Sequence, residues 1–246
     1  MSQQRKSVRV VIVNWRTPLL TERAARSLWP QLRAGDELVV VDNASASADP
    51  HDNSLDHLRR LGAKLGSAGP ARFGLVQARR NGGFGYGVNL GARNLRQDAL
   101  VLLNSDAYAL EGFVDALTAP LGHDLVEATT ARLLLEGRWR LVDDGAEPPS
   151  PQAPGGVEAQ TEPTTGATHS AGSAQLRGLD GGIWVSDPSG VELINSTGNL
   201  VDACGNGYDR SWLAPAKQEH DSPEVFGICG GACAISARAW RQLGGM

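Results

Sequence analysis

The 246-residue sequence is short of most features that mark a specialised chain. Cysteine occurs three times, at Cys204, Cys229 and Cys233. That odd number, without a CxxC pair, argues against a disulfide framework and against a thiolate zinc site, so buried, reduced thiols are expected. No apolar run approaches the roughly 18 to 20 residues that cross a bilayer, and MSQQRKSVRV leads straight into a strand-like segment rather than a signal peptide. The expectation is a soluble, cytoplasmic chain, with peripheral contact at the inner face of a membrane left open. An excess of either charge is lacking too: 23 Lys and Arg stand against 27 Asp and Glu with no long block of one sign, so no nucleic-acid surface is expected. His51, His57, His123, His169 and His220 show no metal-type pairing and are assigned no role. No internal repeat is present.

What the sequence does contain is alternation. VRVVIV at 8–13 is a short β-branched run followed by Asn14, the pattern of a strand covered on both faces. Thr17 before Pro18 reads as an N-cap, with Leu19, Leu20, Ala24, Ala25 and Leu28 at helical spacing up to Pro30. Strands are then expected at 37–41, 72–77 and 99–103, and helices at 55–61, 88–95 and 113–121. Strands alternating with helices imply parallel pairing through right-handed crossovers, hence an open, mostly parallel, doubly wound α/β sheet with helices on both faces.

The alternation fails after about Arg140. Residues 144–182 are rich in Pro, Gly, Ala, Ser and Thr and nearly free of large apolar side chains, a composition that buries too little surface to offset ordering. Their Pro-rich first part is expected to be a mobile surface insertion. Strand-like IWV (183–185) and VELI (191–194) follow, then EVFGICGGACAIS and a short helix at 237–243. The chain divides into 1–143, the insertion 144–182, and 183–246.

In an open parallel sheet, ligands bind beyond the carboxyl ends of the strands, near the point where strand order reverses. Four polar groups fall at such ends: Asn14-Trp15, Asp42-Asn43, Arg79 to Asn81, and Asn104-Ser105-Asp106. Each also suits a turn or a helix cap, but together they favour a site. The third group opens RRNGGFGYGVNLG (79–91), with five glycines in 13 residues. A dinucleotide fingerprint fails there, because Val88 or Leu90 stands where the third glycine is needed and the stretch follows the third strand rather than the first. No Gly-Lys-Ser/Thr is present for a P-loop. The glycines still let backbone N–H groups approach a ligand and start a helix whose positive end favours an anion.

Five blocks resemble the family 2 glycosyltransferases of GT-A fold, in particular rhamnosyltransferase-like members that build bacterial surface polysaccharides. They are VVIVNW (10–15), LVVVDNAS (38–45), RNGGFGYGVNLG (80–91), LLNSDA (102–107) and VFGICGGACAISARAWRQLGG (225–245), in the family's order. The resemblance implies inverting, metal-assisted transfer of a sugar from a nucleotide-diphosphate sugar donor to a glycan or lipid-linked acceptor. It places Asp42 on the nucleoside of the donor, a role that suits a hydrogen-bond-accepting carboxylate. Asn14, Trp15, Asn43, Asn81, Gly83, Asn89 and Ser105 join it as donor-binding candidates; Asn89 has a helix cap as its other reading. The family's DxD motif, which helps hold a divalent cation on the diphosphate, maps onto Asn104-Ser105-Asp106. Its first acid is an amide here, and Asp106 with Asn104 would hold Mg²⁺ or Mn²⁺ with help from phosphate oxygens.

After the QLGG-type segment the family continues with an acidic and aromatic stretch that brings the general base. This sequence reads to Met246, and no base is assigned. Asp202, Asp209 and Asp221 are candidates, with solvated loop acids as the other reading, and Tyr208, Asp209, Arg210 and Trp212 either meet a sugar or close a loop. The alternative function is a catalytically incomplete nucleotide-sugar binding module that needs a partner or a further segment.

Overall fold

The computed structural model describes residues 5–123, 125–142, 175–178, 182–218 and 222–246. Its first half is a strict alternation: β1 (Val8–Asn14), α1 (Pro18–Leu28), β2 (Glu37–Asp42), α2 (Ser54–Gly66), β3 (Arg72–Gln77), α3 (Gly83–Gly91), β4 (Ala99–Leu103) and α4 (Phe113–Thr118). Short strands follow: β5 (Ala128–Thr130), β6 (Leu133–Leu134), β7 (Trp139–Val142), β8 (Gln175–Arg177), β9 (Ile183–Ser186), β10 (Ile194–Ser196), β11 (Asn199–Val201) and β12 (Gly207–Asp209). The last elements are β13 (Ala232–Ser236) and α5 (Ala237–Leu243).

Six strands form the central sheet, in the order β3-β2-β1-β4-β13-β5. Pairings among β3, β2, β1 and β4 are parallel, whereas β13 runs antiparallel to both β4 and β5. The fold is therefore mixed α/β with a mostly parallel sheet. Its two faces are packed by different helices. Val8, Val10 and Ile12 join α1, α2 and α4 on one face through Ala24, Leu28, Leu58, Leu61 and Val114. Val11, Leu100 and Leu102 meet Val88, Leu90 and Trp240 of α3 and α5 on the other. Apolar runs without alternation are what two covered faces require, and each large side chain fully buried there contributes about 1.5–3 kcal/mol.

Two elements differ instructively from the sequence-based expectation. In α1 the inward stripe is Thr21, Ala24, Ala25 and Leu28, at i, i+3, i+4 and i+7, while Leu19 and Leu20 are exposed. Thr21 faces inward because its hydroxyl donates to Asn14 Oδ1 at 2.9 Å. Thr17 precedes the helix but makes no side-chain cap. In α3 the helix begins at Gly83 rather than Val88 and ends at Gly91. Its glycines are a packing surface: a Cβ on Gly87 would stand 2.6 Å from Val13 Cγ1, and one on Gly91 2.6 Å from Val11 Cγ1. Without those Cβ atoms, α3 lies directly on β1.

The downstream part is built differently. β7, β9 and β8 make a separate three-stranded antiparallel sheet, β10 pairs with β6, and β11 with β12. Trp139, Leu193 and Leu213 are its buried apolar centre. The VELI segment yields a strand only from Ile194, with Val191 bridged singly to Trp139. β8 lies inside the stretch expected as insertion; residues 143–174 and 179–181, with the mobility expected there, lie outside the described residues. No described helix is long and apolar enough to cross a membrane.

Candidate functional site

The topology singles out one place. From β1 the chain winds outward through β2 to β3, then returns past β1 to β4, so strand order reverses between β1 and β4. The carboxyl ends of those two strands flank the crevice where open α/β sheets bind ligands. Asn14 ends β1 and Asp42 ends β2 in direct register, with Gln77 of β3 opposite Asp42. Asn104 to Asp106 leave β4 beside them. Thr17 Oγ1 donates to Ser105 Oγ at 3.3 Å, bridging the two sides of the reversal.

Beneath that edge lies a buried polar network. Asp42, 1% exposed, accepts at Oδ1 from Asn14 Nδ2 at 2.9 Å and from Ser45 Oγ at 2.5 Å. Asn14 is fully buried, with its Oδ1 taken by Thr21. Ser45 Oγ also accepts from the Arg16 N–H at 2.9 Å. A buried carboxyl bonded to Asn14 and Ser45, with Asn14 in turn bonded to Thr21, fixes the ends of β1 and β2 relative to α1, because an unpaired polar group at this depth costs about 1–3 kcal/mol. In this arrangement Asp42 is held from the protein side.

Asn43 continues the network towards the glycine-rich segment. Its Nδ2 donates to Asn81 Oδ1 at 2.9 Å and to the Gly83 carbonyl at 3.1 Å. Its Oδ1 is buried without a hydrogen-bond partner among the described residues. Gly83 has φ +83°, which explains glycine at that position, and α3 starts there without a side-chain cap. The Gly83 N–H is taken by Asn81 Oδ1 at 2.9 Å, and the N–H groups that follow it in the first turn have no intrahelical acceptor and make a weakly positive end. Arg79 and Arg80 are exposed just upstream, and the Arg80 guanidinium lies 5.2 Å from the centroid of the Tyr86 ring.

Asn89 lies elsewhere. Its Nδ2 donates to a Met246 main-chain oxygen at 2.5 Å and its Oδ1 accepts from the Met246 N–H at 3.0 Å, so it does not cap α3. Trp15 is 39% exposed at the exit of β1.

The opposite side of the reversal opens into a cleft of ≈ 940 Å³. Asn104 and Asp106 lie on its wall with Leu103, Phe113, Leu133, Asn195, Cys229 and Gly231. The Asn104 N–H donates to the Gly231 carbonyl at 2.9 Å, so the start of β13 is fastened to the exit of β4. Sequence reasoning placed nothing on the Glu111, Glu136 and Glu192 carboxyls that also line it. They come from three segments far apart in sequence, and no local motif connects them.

For a divalent cation the donor set is sparse. Asp106 is exposed and supplies one carboxylate, Asn104 one amide oxygen. Among the described residues no group of three or more His, Cys, Asp and Glu is arranged to hold a metal. These residues fit a cation that takes most of its ligands from phosphate oxygens and water, the habit of Mg²⁺ in nucleotide sites, and not a cage preformed by protein.

Other expected residues resolve into local roles. Asp202 accepts from the Asn206 side chain and main chain and from the Cys204 N–H; these bonds, the Asn206 side chain first, hold its carboxyl below the usual range. Asp209 accepts from Asn199 Nδ2 at 3.3 Å. Arg210 fastens Thr197 to the Ser222 and Glu224 carbonyls, and Trp212 packs against the cluster of Trp139, Leu193 and Leu213, so both close loops. Asp221 lies outside the described residues. Among the thiols the expectation of burial fails for Cys204, which is exposed on the β11–β12 turn, and is half met by Cys229; Cys233 is buried. Cys204 lies in the five-residue connection 202–206 of a short two-stranded hairpin, where no apolar layer covers it.

No family model matches the chain, and no curated protein matches it. Solved structures do. A mannosyltransferase, PcManGT from Pyrobaculum calidifontis in complex with GDP-Man and Mn²⁺, is 22% identical over 53% of this chain and 36% of its own, with a TM-score of 0.46. S. aureus TarS 1–349 in complex with UDP-GlcNAc is 18% identical over 54% of this chain and 36% of its own, with a TM-score of 0.44. The chain thus matches little more than a third of the length of either.

Proposed function

We propose that this chain binds a nucleotide-diphosphate sugar across the β1–β4 reversal and belongs with the GT-A glycosyltransferases its sequence blocks resemble. One observation carries the reading: Asp42, the glycine-rich start of α3 and the Asn104–Asp106 segment, separate in sequence, follow β2, β3 and β4 at the carboxyl edge of one parallel sheet, and the last of them lines a cleft. The nucleoside lies towards Asp42 and Asn14, the diphosphate between the α3 N-terminus and Asp106. Mg²⁺ or Mn²⁺, when bound, offsets charge on the departing diphosphate. Trp15, Asn81, Gly83 and Ser105 line the donor. The reaction is an inverting transfer to a hydroxyl of a glycan or lipid-linked acceptor, in the cytoplasm, with peripheral membrane contact where the acceptor is lipid-linked.

Titration calorimetry with UDP and GDP, with and without Mg²⁺ or Mn²⁺, tests the donor site; absence of heat with every combination rejects it. Asp106→Ala is expected to remove the metal-dependent part of binding, and Asp42→Ala to weaken binding with or without metal. A second reading, a binding module that needs further residues for turnover, is favoured by the local engagement of Asp202 and Asp209. Release of nucleoside diphosphate from a sugar donor by this chain alone rejects that second reading.

A further inference from the structure

One amide holds the loop that opens α3. Asn43 is 3% exposed, and its main-chain N–H donates to the Asn14 carbonyl at 2.8 Å, so its backbone is fixed to the sheet edge. Its Nδ2 reaches two acceptors, Asn81 Oδ1 and the Gly83 carbonyl, while Asn81 Oδ1 also accepts from the Gly83 N–H at 2.9 Å. Three hydrogen bonds therefore close on the turn at Asn81 and Gly83. Only one orientation of the Asn43 amide makes them, because turned over its oxygen would face two other acceptors. The turn they hold needs holding: Gly82, Gly83, Gly85 and Gly87 give this segment more backbone freedom to lose than any ordinary sequence would.

We infer that Asn43 is a positioning residue. It clamps Asn81 and Gly83 so that α3 starts at a fixed distance from the residue beside it, Asp42, and it does this without touching a ligand. Asn81 is exposed and serves the clamp through its oxygen. The consequence for binding rests on the nucleotide-diphosphate reading above; the clamp itself rests on the three hydrogen bonds.

The two atoms of the clamp respond oppositely to the same chemical change. Asn43→Asp sets a carboxylate oxygen against two acceptors and breaks it. Asn81→Asp keeps an acceptor for both Asn43 Nδ2 and the Gly83 N–H, and Asn81→Ala removes that acceptor from an exposed side chain. Hydrogen exchange of the full chain without ligand is read at the amides of 83–86, with the amides of β1 and β2 as reference. Exchange is expected to rise about tenfold in Asn43→Asp and Asn81→Ala, the equivalent of one ordinary hydrogen bond, and to stay near wild type in Asn81→Asp. UDP and GDP titrations with Mg²⁺ should show a parallel loss of about tenfold in affinity for Asn43→Asp, with β1 and β2 protection intact.

Unchanged exchange in both disruptive variants overturns the clamp, as does equal disruption by Asn81→Asp. Raised exchange with unaltered nucleotide affinity overturns the positioning role and leaves a purely structural one. Should Asn43→Asp fail to fold, the two Asn81 variants decide the clamp, and Asn43→Ala, which removes the donor without adding a charge, replaces it in the titration. Should the wild-type chain bind neither nucleotide, the nucleotide reading and the positioning role fall together, and exchange alone judges the clamp.

Discussion

The parallel half of the sheet and the small downstream strands, β6 to β12, are held by different means. In the first, β1, β2 and β4 bury nearly every side chain between two layers of helices, while the edge strand β3 is half-buried with Arg72 and Gln77 exposed. In the second, strands of two to four residues surround Trp139, Leu193 and Leu213, and loops are fastened by polar links such as Arg210 to Thr197 or Arg140 to Asp187. Burial on both faces fixes register at every residue, since a slip would move a whole apolar set to the wrong layer. Links at exposed loops fix single points. The candidate site uses both: its rigid side is the Asn14–Asp42 network at the parallel edge, and its other side is the cleft wall from β6 to the start of β13.

The largest effect should come from cutting into the two cores separately. Ile12→Ala, in the parallel half, is expected to lower global stability by about 2–5 kcal/mol in urea unfolding. Leu193→Ala is expected to raise hydrogen exchange in 193–214 first, with a smaller shift of the main transition. Equal losses in one cooperative transition would erase the contrast.

A smaller effect is expected at the α3–β1 contact. Gly91→Ala places a Cβ 2.6 Å from Val11 Cγ1 and 3.0 Å from Val41 Cγ2, so it should cost about 1–3 kcal/mol by overpacking. The same change at Gly66, where nothing lies within 4 Å, should be neutral or stabilising. Thermal midpoints of the two variants make the comparison.

Thiol chemistry separates the regions without altering stability. Cys204 should be alkylated fastest and Cys229 more slowly, while Cys233 waits for unfolding. Burial, with Cys229 adding to it, pushes the Cys233 thiol up to about 12, so no thiolate is present at neutral pH. That pKa lies above the ordinary 9.0, so the stability it reflects is present below pH 9 and is lost as pH rises towards 12. Early labelling of Cys233 in native protein would contradict the tight packing of β13.

The smallest effect belongs to the α1–α2 surface. Burial opposes ionisation of Glu22, but hydrogen bonds from Arg26 and His57 outweigh it and hold the carboxyl below its ordinary 4.5. A depressed carboxyl contributes stability above that value and loses it as pH falls through the folded pKa. Glu22→Gln should therefore flatten the acid side of the stability profile below pH 4.5 by well under about 1 kcal/mol, as expected for a half-exposed pair. An unchanged acid slope would assign the link no energetic role.

The sequence by itself determined the parallel half and the list of polar strand ends. Runs such as VRVVIV and ALVLL have only one low-energy use, a strand covered on both faces, and the Asn or Asp that follows each run marks where apolar packing gives way to hydrogen bonding. It also excluded a dinucleotide fingerprint in the glycine-rich stretch. It did not disclose that those glycines are a helix, because helix propensity counts against them; only contact with Val11 and Val13 repays the missing side chains. Nor did it disclose that Asn89 pairs with Met246, that Arg210 and Trp212 close loops, or that Asn43 grips Asn81 across 38 residues. Those roles depend on which atoms the chain brings within 3 Å of one another, and hydrogen bonds between distant segments leave no periodicity for a sequence to carry. Tertiary structure alone chose the antiparallel direction of β13, since that strand enters the sheet beside β4 only after a long excursion through the small downstream strands.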